Sequence, residues 1–130
     1  MSYKILMAED DQMLYNILSR NIKRKIERIE ITHAANGVRM MGELDKIIRG
    51  ECEYDLIISD NDMGAVSGLQ CLERAQRLGI NTPYVIMSGN DISEAALAAG
   101  ATKFIKKPFT HRALLDLVRG YMPNLNKDTE

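Results

Sequence analysis

Cysteine is scarce in this chain of 130 residues. Cys52 and Cys71 stand 19 positions apart, and neither has a histidine or second cysteine at metal-site spacing. That argues against a zinc site or a disulfide framework and for reduced thiols. A basic excess is also missing: 17 Lys and Arg stand against 18 Asp and Glu, for a net charge of −1. Direct DNA or RNA binding, which draws on surplus cations, is therefore a poor fit. Long hydrophobic runs are absent too. The first apolar run, Ile5 to Ala8, is too short for the core of a signal peptide and ends in three acids, and no stretch approaches a membrane span. The expectation is a cytoplasmic protein with no membrane contact. No repeat, low-complexity tract or linker interrupts the chain.

What remains is enough for one domain. Apolar residues make up 45% of the sequence, sufficient for a single buried core at this length but with no room for a second domain. Short apolar runs alternate with longer stretches of helical period, five times over. Residues 4–8, 29–33, 55–59, 83–88 and 102–106 read as strands. Between them Leu14, Ile17, Leu18, Ile22 and Ile26 recur at helical spacing, as do Met41, Leu44, Ile47 and Ile48, and then Leu69, Leu72, Ala75 and Leu78. Ile92, Ala95, Ala96 and Ala99 continue the pattern, and Leu114, Leu117, Val118 and Tyr121 close it. Gly37, Gly50, Gly79 and Gly100 punctuate these segments, and Pro83 opens a strand. The middle strands are apolar on both faces, as interior parallel strands covered by helices are. The predicted fold is α/β: a five-stranded parallel sheet, doubly wound as (βα)5, over residues 1–122, with 123–130 a polar tail.

Function in such a sheet concentrates at the carboxyl ends of the strands. There the first strand runs into Glu9, Asp10 and Asp11, the third into Asp60 with Asp62 two residues on, the fourth ends at Ser88, and the fifth at Lys107-Pro108. A nucleotide-binding sheet would place a glycine-rich phosphate cradle after its first strand, and this chain places carboxylates there instead. Two like charges about 4 Å apart repel by about 4 kcal/mol at an effective dielectric near 20, so convergent carboxylates call for a cation. Oxygen ligands suit Mg²⁺, and Lys107 adds a second positive charge. Carboxylates, one Mg²⁺, a hydroxyl and a lysine together fit phosphoryl transfer, with Asp60 as the nucleophile that forms an aspartyl phosphate.

The acidic pair Glu9-Asp10, the segment Asp55 to Leu69 (DLIISDNDMGAVSGL), the MSG of Met87 to Gly89 and the KPF of Lys107 to Phe109 resemble the receiver domain of two-component response regulators, from Lys4 to about Met122. That resemblance implies a flavodoxin-like receiver architecture and a signalling switch rather than a turnover enzyme. It implies Asp60 as phosphoacceptor, and Glu9, Asp10, Asp60 and the backbone carbonyl of Asp62 as Mg²⁺ ligands. Ser88 matches the switch hydroxyl, Lys107 the lysine that pairs with the phosphoryl group, and Phe104 the aromatic that changes rotamer. A cis Lys107–Pro108 peptide is implied as well. The implied partners are a histidine kinase or phosphotransfer protein and a downstream protein target or missing output domain, met through the face of the fourth helix, fifth strand and fifth helix. A phosphorylation-linked dimer is compatible with this reading.

Two residues depart from the pattern in ways expected to matter. Gly64 stands where the family usually has proline, which should loosen the loop after the acceptor. Asp62 adds an acid beside the acceptor and is expected to alter metal affinity and phosphate lifetime. A third, Phe104, brings no hydroxyl to the switch. The rival from another class is a haloacid-dehalogenase-type phosphatase, since Asp60-Asn61-Asp62 reads as D-x-D, but that motif usually follows a first strand. A receiver-like module that only binds partners is the remaining alternative. His33 and His111 read as surface or packing residues.

Overall fold

The computed structural model describes residues 2–122, so the tail read at 123–130 lies outside the described residues. The five aliphatic runs form strands β1 (Tyr3–Ala8), β2 (Ile29–Ala34), β3 (Leu56–Asp60), β4 (Tyr84–Ser88) and β5 (Lys103–Lys106). Each edge falls within one residue of its sequence-based range. The helices between and after them are α1 (Gln12–Lys25), α2 (Gly37–Ile48), α3 (Gly68–Arg77), α4 (Ser93–Ala98) and α5 (His111–Gly120).

All strands run parallel in the order β2-β1-β3-β4-β5. Parallel strands need crossover connections, and here each crossover is a helix laid on one face of the sheet. Side chains alternate between faces, so β1 sends Ile5 and Met7 toward α1 and α5 while Leu6 and Ala8 face α2 and α3. In β3, Leu56 and Ile58 join the first layer and Ile57 the second. Both central strands are therefore buried on both faces, which is why they carry no polar alternation.

Four of the five helices begin with a side chain that satisfies a backbone N–H left free by the first turn: Asp11 for α1, Asn36 for α2, Ser67 for α3 and Thr110 for α5. At α3 the arrangement is reciprocal, Gln70 reaching back to the Ser67 N–H. The fourth helix differs. It has only six residues, its N-cap residue Ile92 makes no side-chain cap bond, the Ser93 N–H is met by Asp91 Oδ1 at 3.2 Å instead, and of its apolar set only Ala96 is buried. The period at Ile92, Ala95, Ala96 and Ala99 thus predicted the helix but overstated its burial, because Ala95 stands exposed.

Candidate active site at the carboxyl edge of the sheet

Register brings the predicted residues together. Ala8 pairs with Ser59, so Glu9 leaves β1 beside Asp60. Asp60 pairs with Met87 and Ser88 with Lys106, which places Ser88 and then Lys107 on the next strands outward. Of the polar side chains that are buried, Glu9, Ser59, Asp60 and Ser88 all lie along this edge. Buried polar groups are costly without partners, so their concentration marks the place where the fold gives up stability for chemistry.

Glu9, Asp10 and Asp60 present carboxylate oxygens within 4.8 Å of one another. Asp11 does not join them. Its side chain turns back to accept the Leu14 N–H at 3.1 Å as the α1 cap, so the third acid of the run serves the helix. Lys107 Nζ sits between the two buried acids, 3.2 Å from Glu9 Oε1 and 3.0 Å from Asp60 Oδ1. The ammonium is thus paired with Asp60 Oδ1, a buried oxygen that no hydrogen-bond donor other than Lys107 meets. Three carboxylates gathered at one strand edge form an all-oxygen donor set that suits a hard divalent cation.

The electrostatics follow from the crowding. Burial pushes Glu9 above the ordinary carboxylate range, with the Asp60 carboxylate adding to it against the pull of the Asp11 N–H and Lys107. Burial likewise raises Asp60; Lys107 opposes the shift, and Asp10 and Asp62 reinforce it. For Lys107 burial works against the charge, but the contacts with Asp60 and Glu9 outweigh it and hold the amine above its usual value.

Two predicted residues have other company. Ser88, wholly buried, donates its hydroxyl to Asp62 Oδ2 at 3.0 Å and accepts the Asn90 N–H at 3.1 Å. The Asp62 side chain is accordingly outside the carboxylate cluster and engaged with Ser88. Phe104 pairs with Ile86 across β4 and β5 and lies half-buried against the layer formed by α2, α3 and α4. The Lys107–Pro108 peptide is cis. Gly64 adopts φ +80°, a conformation closed to proline, whose ring holds φ near about −65°. Glycine at this position therefore gives the loop a different path.

His33, read from sequence as a packing residue, touches the site. Its Nε2 lies 2.8 Å from the Glu9 carbonyl oxygen, and its ring stacks on Tyr15 with centroids 3.7 Å apart. A carbonyl only accepts, so Nε2 carries the proton. No spacing in the sequence pairs residues 9, 15 and 33; the pairing of β2 with β1 brings His33 alongside the end of β1, and α1 carries Tyr15 onto its ring.

The response regulator receiver domain family matches residues 5–119. The chain belongs to that family. The receiver is 29% identical over 122 residues to protein RcaC of Microchaete diplosiphon, covering 92% of this chain and 18% of that protein. To the transcriptional regulatory protein CutR of Streptomyces coelicolor it is 24% identical over 119 residues, covering 89% of this chain and 52% of CutR. The chain thus spans about half or less of the length of these relatives. Among solved structures, the receiver domain of a Francisella response regulator is 27% identical with a TM-score of 0.78, over 99% of this chain and all of that one. A CheY-like receiver from Methanospirillum hungatei, at 24% identity and a TM-score of 0.79 over 98% and 99% of the two chains, shares the fold. Family membership and the position of Asp60 on the third strand set the phosphatase alternative aside. Among the described residues no helix is long and apolar enough to cross a membrane.

Proposed function

We propose that this receiver is a cytoplasmic phosphoacceptor switch in which Asp60 takes a phosphoryl group from a phosphohistidine on a histidine kinase or phosphotransfer protein. The observation that carries the reading is Asp60 itself. It is buried at the end of β3 beside Glu9 and Asp10, with its Oδ1 paired to the Lys107 ammonium at 3.0 Å. In the transfer, the phosphorus–nitrogen bond breaks as a bond forms between phosphorus and an Asp60 oxygen. The imidazole leaves with the electron pair and no proton need come from Asp60, which reacts as carboxylate. Lys107, already above its usual pKa, remains cationic and meets the charge on the phosphoryl oxygens.

Glu9, Asp10 and Asp60, with the Asp62 main-chain carbonyl, would hold Mg²⁺, which when bound supplies charge neutralisation that one lysine alone cannot. Ser88 then turns toward the phosphoryl group and Phe104 follows, remodelling the surface of α4, β5 and α5 for a downstream protein, an output domain or a second receiver. The exposure of Leu97 (54%) on α4 supports that surface as the point of contact.

The test is intact-mass spectrometry after incubation with acetyl phosphate and Mg²⁺. The expected result is one added phosphoryl mass, lost with a chelator and lost in Asp60→Asn. Continuous hydrolysis of small phosphate esters without an adduct, or no adduct at all under conditions where Mg²⁺ binds, would overturn the proposal.

A further inference from the structure

The hydroxyl of Ser88 has one proton, and that proton is given to Asp62. Its oxygen in turn receives the Asn90 N–H. A hydroxyl so placed cannot donate to a phosphoryl oxygen on Asp60 until the Asp62 bond is broken.

The acceptor side of that bond is well anchored. Asn61, immediately before Asp62, donates its N–H to the Met87 carbonyl at 2.8 Å, and its own carbonyl accepts the Gly68 N–H at 3.0 Å. Its side chain accepts the Leu69 N–H at 2.9 Å. Met63, immediately after, is buried. The Asp62 main chain is thereby fixed between two held neighbours, and the Ser88 main chain closes the buried strand β4, its carbonyl accepting the Lys107 N–H at 2.8 Å. Breaking the bond therefore takes a turn of the Ser88 hydroxyl about its own side chain.

We propose that Asp62 is a positioning residue that holds the Ser88 hydroxyl in a resting rotamer, so that the switch closes on Asp60 only by breaking the Asp62–Ser88 hydrogen bond. The proposal rests on the phosphoacceptor reading above. It assigns Asp62 a task distinct from its main-chain carbonyl, which every substitution of the side chain leaves in place. The latch biases the equilibrium toward the open state by the strength of one charge-assisted hydrogen bond at an exposed carboxylate, about fivefold to tenfold.

The experiment compares wild type, Asp62→Ala, Ser88→Ala and the double variant by ¹H–¹⁵N NMR. In metal-free protein, Asp62→Ala is expected to shift the Asn90 amide and the Ser88 side-chain couplings as the hydroxyl is released. Asp62→Asn, which removes the charge and keeps an acceptor oxygen, should move them less. Titration with beryllofluoride and Mg²⁺, a phosphoryl mimic, should then saturate Asp62→Ala at a concentration about fivefold to tenfold lower than wild type. Because Asp62 also repels an anion by charge alone, the double variant decides the matter: without Ser88 most of that gain should vanish. An equal gain with and without Ser88, or an unmoved Asn90 resonance in Asp62→Ala, would overturn the latch while leaving the phosphoacceptor reading intact. Failure of all four proteins to bind beryllofluoride would overturn both.

Discussion

The two crossings that leave the middle of the sheet toward the site are built to different standards. After β3, the chain is pinned at Asn61, turns through Gly64 and enters the ten-residue α3 through a reciprocal cap at Ser67 and Gln70. Tyr84 on β4 then clamps that first turn by donating its hydroxyl to the Gly68 carbonyl at 3.0 Å. After β4, the chain enters the six-residue α4 with only the Asp91 carboxylate meeting its first N–H and with a single buried side chain. The residue that must stay in place, Asp60, precedes the first crossing. The residue proposed to move, Ser88, precedes the second. Local stability is low where buried contacts and capping bonds are few, so the crossing after the proposed phosphoacceptor is the more firmly held and the one after the proposed switch hydroxyl opens more cheaply.

The contrast can be broken most severely at Gly68. A Cβ there would fall inside the Asp60 carbonyl oxygen and the Ser59 Oγ, both part of the structure under the site. Gly68→Ala is expected to cost about 3 kcal/mol in urea unfolding and to impair phosphorylation of Asp60 together with stability. A loss below about 1 kcal/mol would mean that α3 is less firmly docked than its contacts indicate.

Hydrogen exchange measures the comparison directly. Amides of α4 are expected to exchange about tenfold or more faster than interior amides of α3 in the unphosphorylated protein. Equal protection would remove the distinction. A smaller effect is expected from Ser67→Ala, about 1 kcal/mol of stability, with the α3 amides moving toward α4-like exchange.

The subtlest test uses pH. Asp60 and Glu9 have raised pKa values, so between the ordinary carboxylate range and the raised values the native protein binds more protons than the unfolded chain. Stability from these groups is therefore lost as pH rises through that window. Asp60→Asn mimics the protonated form. Without metal, its stability relative to wild type should grow in the variant's favour as pH rises from the ordinary carboxylate range through the raised values, and Mg²⁺ should restore wild type. A pH-independent difference would show that Asp60 carries no such strain.

Much of this was legible in the sequence because periodicity is a local signal. Alternating runs of aliphatic and helical period placed the five strands to within one residue and the helices between them in order, and the acids at strand ends stood out because a buried edge rarely needs them. The pattern lost resolution where a single residue has two uses. Glu9, Asp10 and Asp11 are chemically alike in a string of letters; the resemblance picked out the first two, and the geometry of the α1 entrance shows what the third does instead. The Asp62–Ser88 bond joins residues 26 positions apart on different crossings, beyond any local pattern. The weak burial of α4 was likewise hidden, since a run of alanines reads as an apolar face whether or not anything covers it.

The stack of His33 on Tyr15 gives the molecule a reporter of its own. Ring currents fall steeply with distance, so at 3.7 Å the tyrosine imposes a large shift on the imidazole protons. The sequence has only two histidines, which leaves their resonances easy to assign. Because His33 Nε2 also donates to the carbonyl of Glu9, a rearrangement of the acidic loop that moves this carbonyl is expected to shift the His33 line in a one-dimensional spectrum. Metal binding at the acidic cluster is then expected to be followed without a label or an introduced fluorophore.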